Sequence, residues 1–234
     1  MKNALKLSTL IACCAVVCAC SNKQQEPANE AKKSALPEGY TSPMLLIHDL
    51  KGQVTCMVET TYYCESEDVE VGEDDIIKEY TYKFSENGEL TSVTYAGGGG
   101  VDMKSVVIEY DAKNRISHYA YKNDWMSFDS KYQYDGSNRI VKETEETDGE
   151  VFATAVNEYG YNSNSELESN YYSIDVEEET VTGNVFYKVK ERDSKGNWTK
   201  RYVEDIQDTE EEEGYTTASM VVRKIYYAGD KLPE

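Results

Sequence analysis

Histidine is almost missing from this chain: His48 and His118 are the only two in 234 residues, which excludes a histidine-rich metal centre. Basic residues are scarce as well, with 24 Lys and Arg against 44 Asp and Glu and a formal net charge of −20. Such a chain lacks the cationic face that phosphate backbones demand, so nucleic acid is excluded as a partner. No apolar run reaches the 18 residues of a spanning helix; the run Leu10–Ala19 stops at ten. There is no G-x-S-x-G elbow. Gly97–Gly100 precede Lys104-Ser105, but Met103 stands where a phosphate loop needs glycine. The acidic stretch Asp208–Glu213 lacks EF-hand spacing. Carboxylates are plentiful, yet position marks no pair of them for acid–base work. The expectation is a chain with no catalytic residues, no metal and no cofactor.

What the sequence has in quantity is tyrosine, 20 residues, all at or beyond Tyr40, set in a repeat. Its clearest copies are Val106–Ile116 (VVIEYDAKNRI) and Lys131–Ile140 (KYQYDGSNRI). Copies of the turn begin at Asp49, Ser85, Asp111, Asp135, Asn162 and Asp193, and a shorter one spans Tyr227–Leu232. Asp111, Asp135 and Asp193 head their turns, where a carboxylate accepts backbone N–H groups. Asn114, Asn138 and Gly196 take the fourth position, which tolerates positive φ. This is the chemistry of a type I turn entering a G1 bulge, a hairpin closure. Gly52 and Gly88 also fit, whereas Ser165 does not. Alternation outweighs helical spacing throughout, so the chain reads as all-β: antiparallel β-hairpin repeats forming a curved or spiralling sheet.

The turn sets a register. Phe84 faces Leu90, Tyr110 faces Ile116, Tyr134 faces Ile140 and Tyr161 faces Leu167, aromatic–aliphatic pairs worth roughly 0.2–1 kcal/mol each. In the first copy His48 would face Val54. In the sixth, Arg192 would face Trp198, offering a cation–π contact. There Lys190 would oppose Lys200, so that copy should be shifted or bulged. Tyr110, Tyr134 and Tyr161 should share one buried stripe, extended by Tyr82, Ile108, Tyr132 and Tyr159, with Lys, Glu, Ser and Thr positions facing outward.

Ahead of the repeats, Lys2 and Lys6 precede the short apolar run, which ends Val17-Cys18-Ala19-Cys20. This resembles the lipobox of bacterial lipoproteins and implies a signal peptide over 1–19, cleavage before Cys20 and lipid on Cys20. Ser21 in place of Asp resembles the pattern of lipoproteins sent to the outer membrane. Cleavage removes two Lys and no acid, so 22 basic against 44 acidic residues leave a net charge of −22. Residues 20–39 carry the lipidated Cys and a disordered tether, whose Ser21–Pro37 part would span about 20–25 Å. Residues 40–234 are the expected β domain. Membrane contact should run through the lipid anchor, with periplasmic and surface-facing orientations both open.

The motif Tyr-Asp-x-x-Asn-Arg-Ile at Tyr110–Ile116 and Tyr134–Ile140 looks like the YD repeat of the Rhs family. Arg192–Arg201 (RDSKGNWTKR) is similar to a variant found in small Rhs-repeat-like lipoproteins. The resemblance implies antiparallel hairpins joined into a curved sheet. Six or seven hairpins are too few for the cargo shell of large Rhs proteins, so that role is not expected.

Cys56 and Cys64 are the cysteines left in the domain. An exported, oxidising setting favours pairing them. Eight residues of extended strand would separate them by about 26 Å, and Val58–Tyr63 holds no turn residue. Both states stand open. Functionally, the expectation is a lipid-anchored, non-enzymatic binding or scaffolding domain at the cell envelope with a protein or glycan ligand. The alternative is a carbohydrate-binding accessory lipoprotein that stacks exposed aromatics on sugars.

Overall fold

The structure is a computed structural model and describes residues 42–96, 99–100, 106–122, 127–148, 152–176, 179–208 and 215–233. The expected signal, Cys20 and the expected tether lie outside the described residues, as do residues 97–98 and 209–214.

A short helix, α1 (Pro43–Ile47), precedes thirteen strands. The first four are β1 (Val54–Tyr63), β2 (Ile76–Phe84), β3 (Leu90–Tyr95) and the two-residue β4 (Gly99–Gly100). Then come β5 (Val106–Tyr110), β6 (Ile116–Lys122), β7 (Ser127–Tyr134), β8 (Ile140–Asp148) and β9 (Ala153–Tyr161). The last are β10 (Leu167–Val176), β11 (Glu179–Arg192), β12 (Trp198–Asp208) and β13 (Tyr215–Tyr227). The fold is all-β, a single antiparallel sheet in the order β4-β3-β2-β1-β13-β12-β11-β10-β9-β8-β7-β6-β5.

That order forces curvature. Thirteen strands have twelve spacings, so a flat sheet would hold its edges about 58 Å apart at ~4.8 Å per spacing. The edge strands β4 and β5 are consecutive in the chain, and the six steps from Gly100 to Val106 reach about 22 Å at most. The sheet therefore bends back on itself, joined where β1 pairs with β13 and left unclosed between β4 and β5.

The registers Phe84–Leu90, Tyr110–Ile116, Tyr134–Ile140, Tyr161–Leu167 and Arg192–Trp198 are all present. In the sixth hairpin Glu191, rather than Lys190, pairs with Lys200, and Lys190 turns to Glu67 at 2.5 Å. Bulging the strand separates the two lysines. The first copy is not a hairpin. Ser42 caps α1 by accepting from Leu45 N at 3.0 Å, Pro43 opens the helix, and His48 ends it. Val54 pairs with Tyr227 instead of His48.

The core lies inside the curve. Met44, Leu45 and Leu50 around α1 are buried with Tyr82 and Phe84 of β2 and with Ile116, Tyr119 and Tyr121 of β6. Helix α1 thus bridges the two arms of the sheet, β2–β3 on one side and β6 on the other. A second cluster of Ala153, Tyr172, Ile174 and Val185 fills the interior at the ends of β9 and β10 remote from their shared turn.

Candidate functional site

The hairpin turns stand along one rim of the sheet, and their side chains lock it. Asp111 Oδ1 accepts from the backbone N–H of Lys113 and Arg115, both at 2.9 Å, and Asp111 Oδ2 from Arg115 Nε at 2.7 Å. Hydrogen bonds from the Arg115 side chain and then its backbone hold the Asp111 carboxyl below its usual range. Asp135 repeats the arrangement with Ser137 and Arg139. In the sixth copy Asp193 accepts from Lys195 and Asn197 N at 2.9 Å. Asn114 and Asn138 take φ of 58° and 64° and Gly196 82°; Ser165 also takes 63°, despite its side chain.

Two successive pairs of neighbouring hairpins are fastened together in the same way. The Arg115 guanidinium lies 4.3 Å from the Tyr134 ring, and Tyr134 OH donates to Ile116 O at 2.7 Å. One hairpin on, Arg139 lies 4.7 Å from the Tyr161 ring, and Tyr161 OH donates to Ile140 O at 2.7 Å. Tyr and Arg of the motif therefore act between hairpins as well as within them. Tyr110 departs from the expected packing. It is 49% exposed because β5 is an edge strand. Ile116 is fully buried, while Tyr134, Ile140, Tyr161 and Leu167 are half-buried.

The bulge decides which residues enter the interior. After the turn, the return strand slips by one residue past its aliphatic, so the next inward side chain comes three positions on rather than two. In successive copies that position holds Val93, Tyr119, Glu143, Asn170 and Arg201. Three polar residues are thereby turned inward. Glu143 is 4% exposed, which corrects the expectation that glutamates of this strand face solvent; Glu145, two residues further, is buried too.

Of these, Glu143 and Arg201 border an interior cavity of about 290 Å³, between α1, the turn rim and strands β7 to β10, β12 and β13. Ser137, Asn138 and Ser165 stand at the rim; Ile47, Ile140 and Leu167 give it apolar wall. At its floor Trp198 is buried, with the guanidinium of Arg223 at 3.6 Å and that of Arg201 at 4.1 Å from its ring. The cation partners of Trp198 are thus Arg201 and Arg223. Arg192, the expected one, instead pairs with Glu166 and donates to Gly196 O at 3.0 Å.

Charge here is arranged unevenly. Arg223 Nε donates to Glu59 Oε2 at 2.7 Å, and its Nη1 to His48 O at 2.9 Å. Burial alone would raise Glu59, but the Arg223 charge and hydrogen bond outweigh it and hold the carboxyl low. Burial first, and the Arg223 charge second, push His48 down to about 4, so its ring is neutral at physiological pH. Burial pushes Glu143 up to about 7, against the hydrogen bond it accepts from Tyr159 OH at 2.6 Å. Arg201 lies 4.5 Å from the Tyr187 ring, and its buried Nε has no hydrogen-bond partner.

Trp198, Ile140, Tyr161, Leu167 and Asn138, singled out from sequence as packing or turn residues, meet at this cavity. Arg201, Arg223 and Glu143 were not singled out; counting three rather than two past each hairpin aliphatic is the signal that finds Arg201 and Glu143. Cys56 and Cys64 are free, buried thiols, the first in β1 and the second just past its end. An unbroken extended strand between them keeps the sulfurs apart, and burial raises both thiol pKa values. Among the described residues no group of three or more His, Cys, Asp and Glu is placed to hold a metal ion, and no helix is long and apolar enough to cross a membrane. No protein-family model matches the chain, and no curated protein matches it either.

Proposed function

We propose that the chain is a cell-envelope lipoprotein, anchored at the outer membrane through Cys20, whose YD-type repeat sheet is a non-enzymatic binding domain. The observation that carries this reading is the interior cavity. It is concave, mixed apolar and polar, and near the lower end of the ~300–1,000 Å³ range of small-molecule sites. Its polar groups are set by the fold itself, Glu143 and Arg201 by the hairpin bulge and Arg223 by Glu59. Such a wall suits holding a ligand in one orientation.

Two measurements test the reading. Cys20→Ala should release the protein from the membrane fraction and abolish labelling by a fatty-acid probe; persistent labelling sinks the anchor. The mature protein isolated from its own envelope, once denatured, should release a small molecule detectable by mass spectrometry. Ser137→Trp, which crowds the rim, should come away empty. Equal release from both proteins would place binding outside the cavity.

A glycan-binding reading draws on a different face. Tyr171 and Phe186 are each 44% exposed, on adjacent strands in diagonal register, since Tyr171 pairs with Asn184 and Ser169 with Phe186. Aromatics so placed can stack on a sugar. Loss of glycan-array binding in a Tyr171→Ala, Phe186→Ala double variant, with Ser137→Trp unaffected, would favour this reading over the cavity.

A further inference from the structure

We propose that the cavity takes a small organic carboxylate, gripped by the guanidinium of Arg201. The inference rests on the cavity being the binding site and goes on to name the chemistry it selects.

The chain has five arginines, and four of them hold a carboxylate: Arg115 with Asp111, Arg139 with Asp135, Arg192 with Glu166 and Arg223 with Glu59. Arg201 forms no salt bridge among the described residues. A guanidinium stays charged at any physiological pH, and that of Arg201 is half-buried without a carboxylate partner, an arrangement that costs stability. Its setting leaves it ready for an anion. The rings of Trp198 and Tyr187, at 4.1 and 4.5 Å, occupy the guanidinium's surroundings by stacking, which leaves hydrogen-bond donors at its edge. The side chain borders the cavity, and its Nε is buried without a partner.

Three observations select a carboxylate among anions. A planar fork of N–H donors matches two coplanar oxygens. The local charges leave room for no more than a monoanion: Arg223 is paired with Glu59 at 2.7 Å and Arg139 with Asp135, His48 is uncharged, and the Asp49 carboxylate also borders the cavity, so Arg201 is the one lining cation that holds no carboxylate among the described residues. A dianion would leave an excess negative charge beside Glu143, whose own ionisation burial already opposes. Finally, Ile47, Ile140 and Leu167 give the ligand's remainder an apolar wall, which a bare inorganic ion would leave unused.

The test uses the full chain in detergent, with Trp fluorescence and thermal melting as readouts. The probes are benzoate and hexanoate, their neutral amides benzamide and hexanamide, and sodium sulfate. The carboxylates should bind at least tenfold more tightly than the matching amides. Arg201→Met, whose thioether can still pack on the Trp198 and Tyr187 rings, should lose at least tenfold for carboxylates and stay within about twofold for amides. Arg201→Lys, which keeps the charge without the fork, should fall between. Equal binding of acid and amide by the unaltered chain would overturn the carboxylate assignment while leaving the cavity a binding site; that comparison requires no variant to fold. Carboxylate affinity unchanged in Arg201→Met would overturn the role of Arg201. Sulfate binding as tightly as benzoate would replace the proposal with an inorganic anion site. No response to any probe at millimolar concentration would overturn both the carboxylate assignment and the cavity as a small-molecule site.

Discussion

Arg223 on the last strand donates to the carbonyl oxygen of His48 at 2.9 Å, across 175 residues of chain, and so ties the end of α1 to the strand that completes the sheet. The same guanidinium holds Glu59 at 2.7 Å. Arg223→Met removes both contacts and leaves the half-buried Glu59 carboxylate without its ion-pair partner. Breaking one side of a buried pair costs about 3–5 kcal/mol. Urea unfolding should show that loss, and amide exchange should show α1 opening ahead of the sheet. A variant as stable as the parent would mean that Glu59 finds other compensation.

His48 and Glu143 should impose opposite pH dependences. The folded pKa of His48, about 4, lies below its unfolded 6.5, so its contribution is full above pH 6.5 and is lost as pH falls toward 4. The folded pKa of Glu143, about 7, lies above its unfolded 4.5, so its contribution is full below pH 4.5 and is lost as pH rises toward 7. Each contribution amounts to about 3 kcal/mol. Between pH 4.5 and 6.5 the two nearly cancel. Glu143→Gln should therefore give stability that climbs with pH across this window relative to the parent, and His48→Phe stability that declines. Urea midpoints at pH 4.5, 5.5, 6.5 and 7.5 measure both slopes. Three parallel profiles would show that neither group titrates abnormally. Asp205, raised by burial, acts in the same sense as Glu143 and tips the parent toward a fall in stability as pH rises.

Gly88 and Gly136 both sit in hairpin turns but should respond differently to alanine. Gly88 has φ of 76°, and a Cβ there would stand 2.6 Å from Ser42 Oγ and 3.0 Å from Leu45 Cδ1. Ser42 Oγ also donates to Gly88 O at 2.7 Å, so Gly88→Ala strains the turn and pushes α1 off it. The expected loss is about 1–3 kcal/mol. At Gly136 a Cβ meets nothing within 4 Å and φ is not positive, so Gly136→Ala should be neutral or gain about 0.4–1 kcal/mol through the unfolded chain. Equal melting temperatures for the two variants would contradict the docking of α1 on this turn.

The hairpins were legible because local chemistry determines them. An Asp that accepts backbone N–H groups and an Asn at positive φ write the turn directly, and the facing pairs follow by counting. Two things escaped that count. Pro43–Ile47 is too short to show helical periodicity, and His48 occupies the slot an aromatic fills in other copies, so a capped helix stands where the hairpin pattern expects His48 to face Val54. Ser42-Pro43, a cap residue followed by proline, was the available signal. The inward polar residues escaped because strict alternation assigns Glu143 and Arg201 to the outside; one bulged residue per hairpin reverses that parity. Arg223, distant in sequence from every residue it touches, could not be placed by local pattern at all.

The unclosed side of the sheet, between β4 and β5, has a consequence for how the chain assembles. Nearly every pairing joins neighbours in sequence and can form as soon as both strands exist; β1 with β13 is the exception. A chain emerging amino end first leaves the outer side of β1 unpaired until residues 215–227 arrive, while the other hairpins are complete. Closure is thus the slow, high-separation step, the kind that lowers folding rates and exposes an edge to wrong partners. Opening the chain between Gly100 and Val106 and linking its natural ends would make β1–β13 a local pairing and discard no strand–strand contact, so the permuted molecule should fold faster to the same sheet.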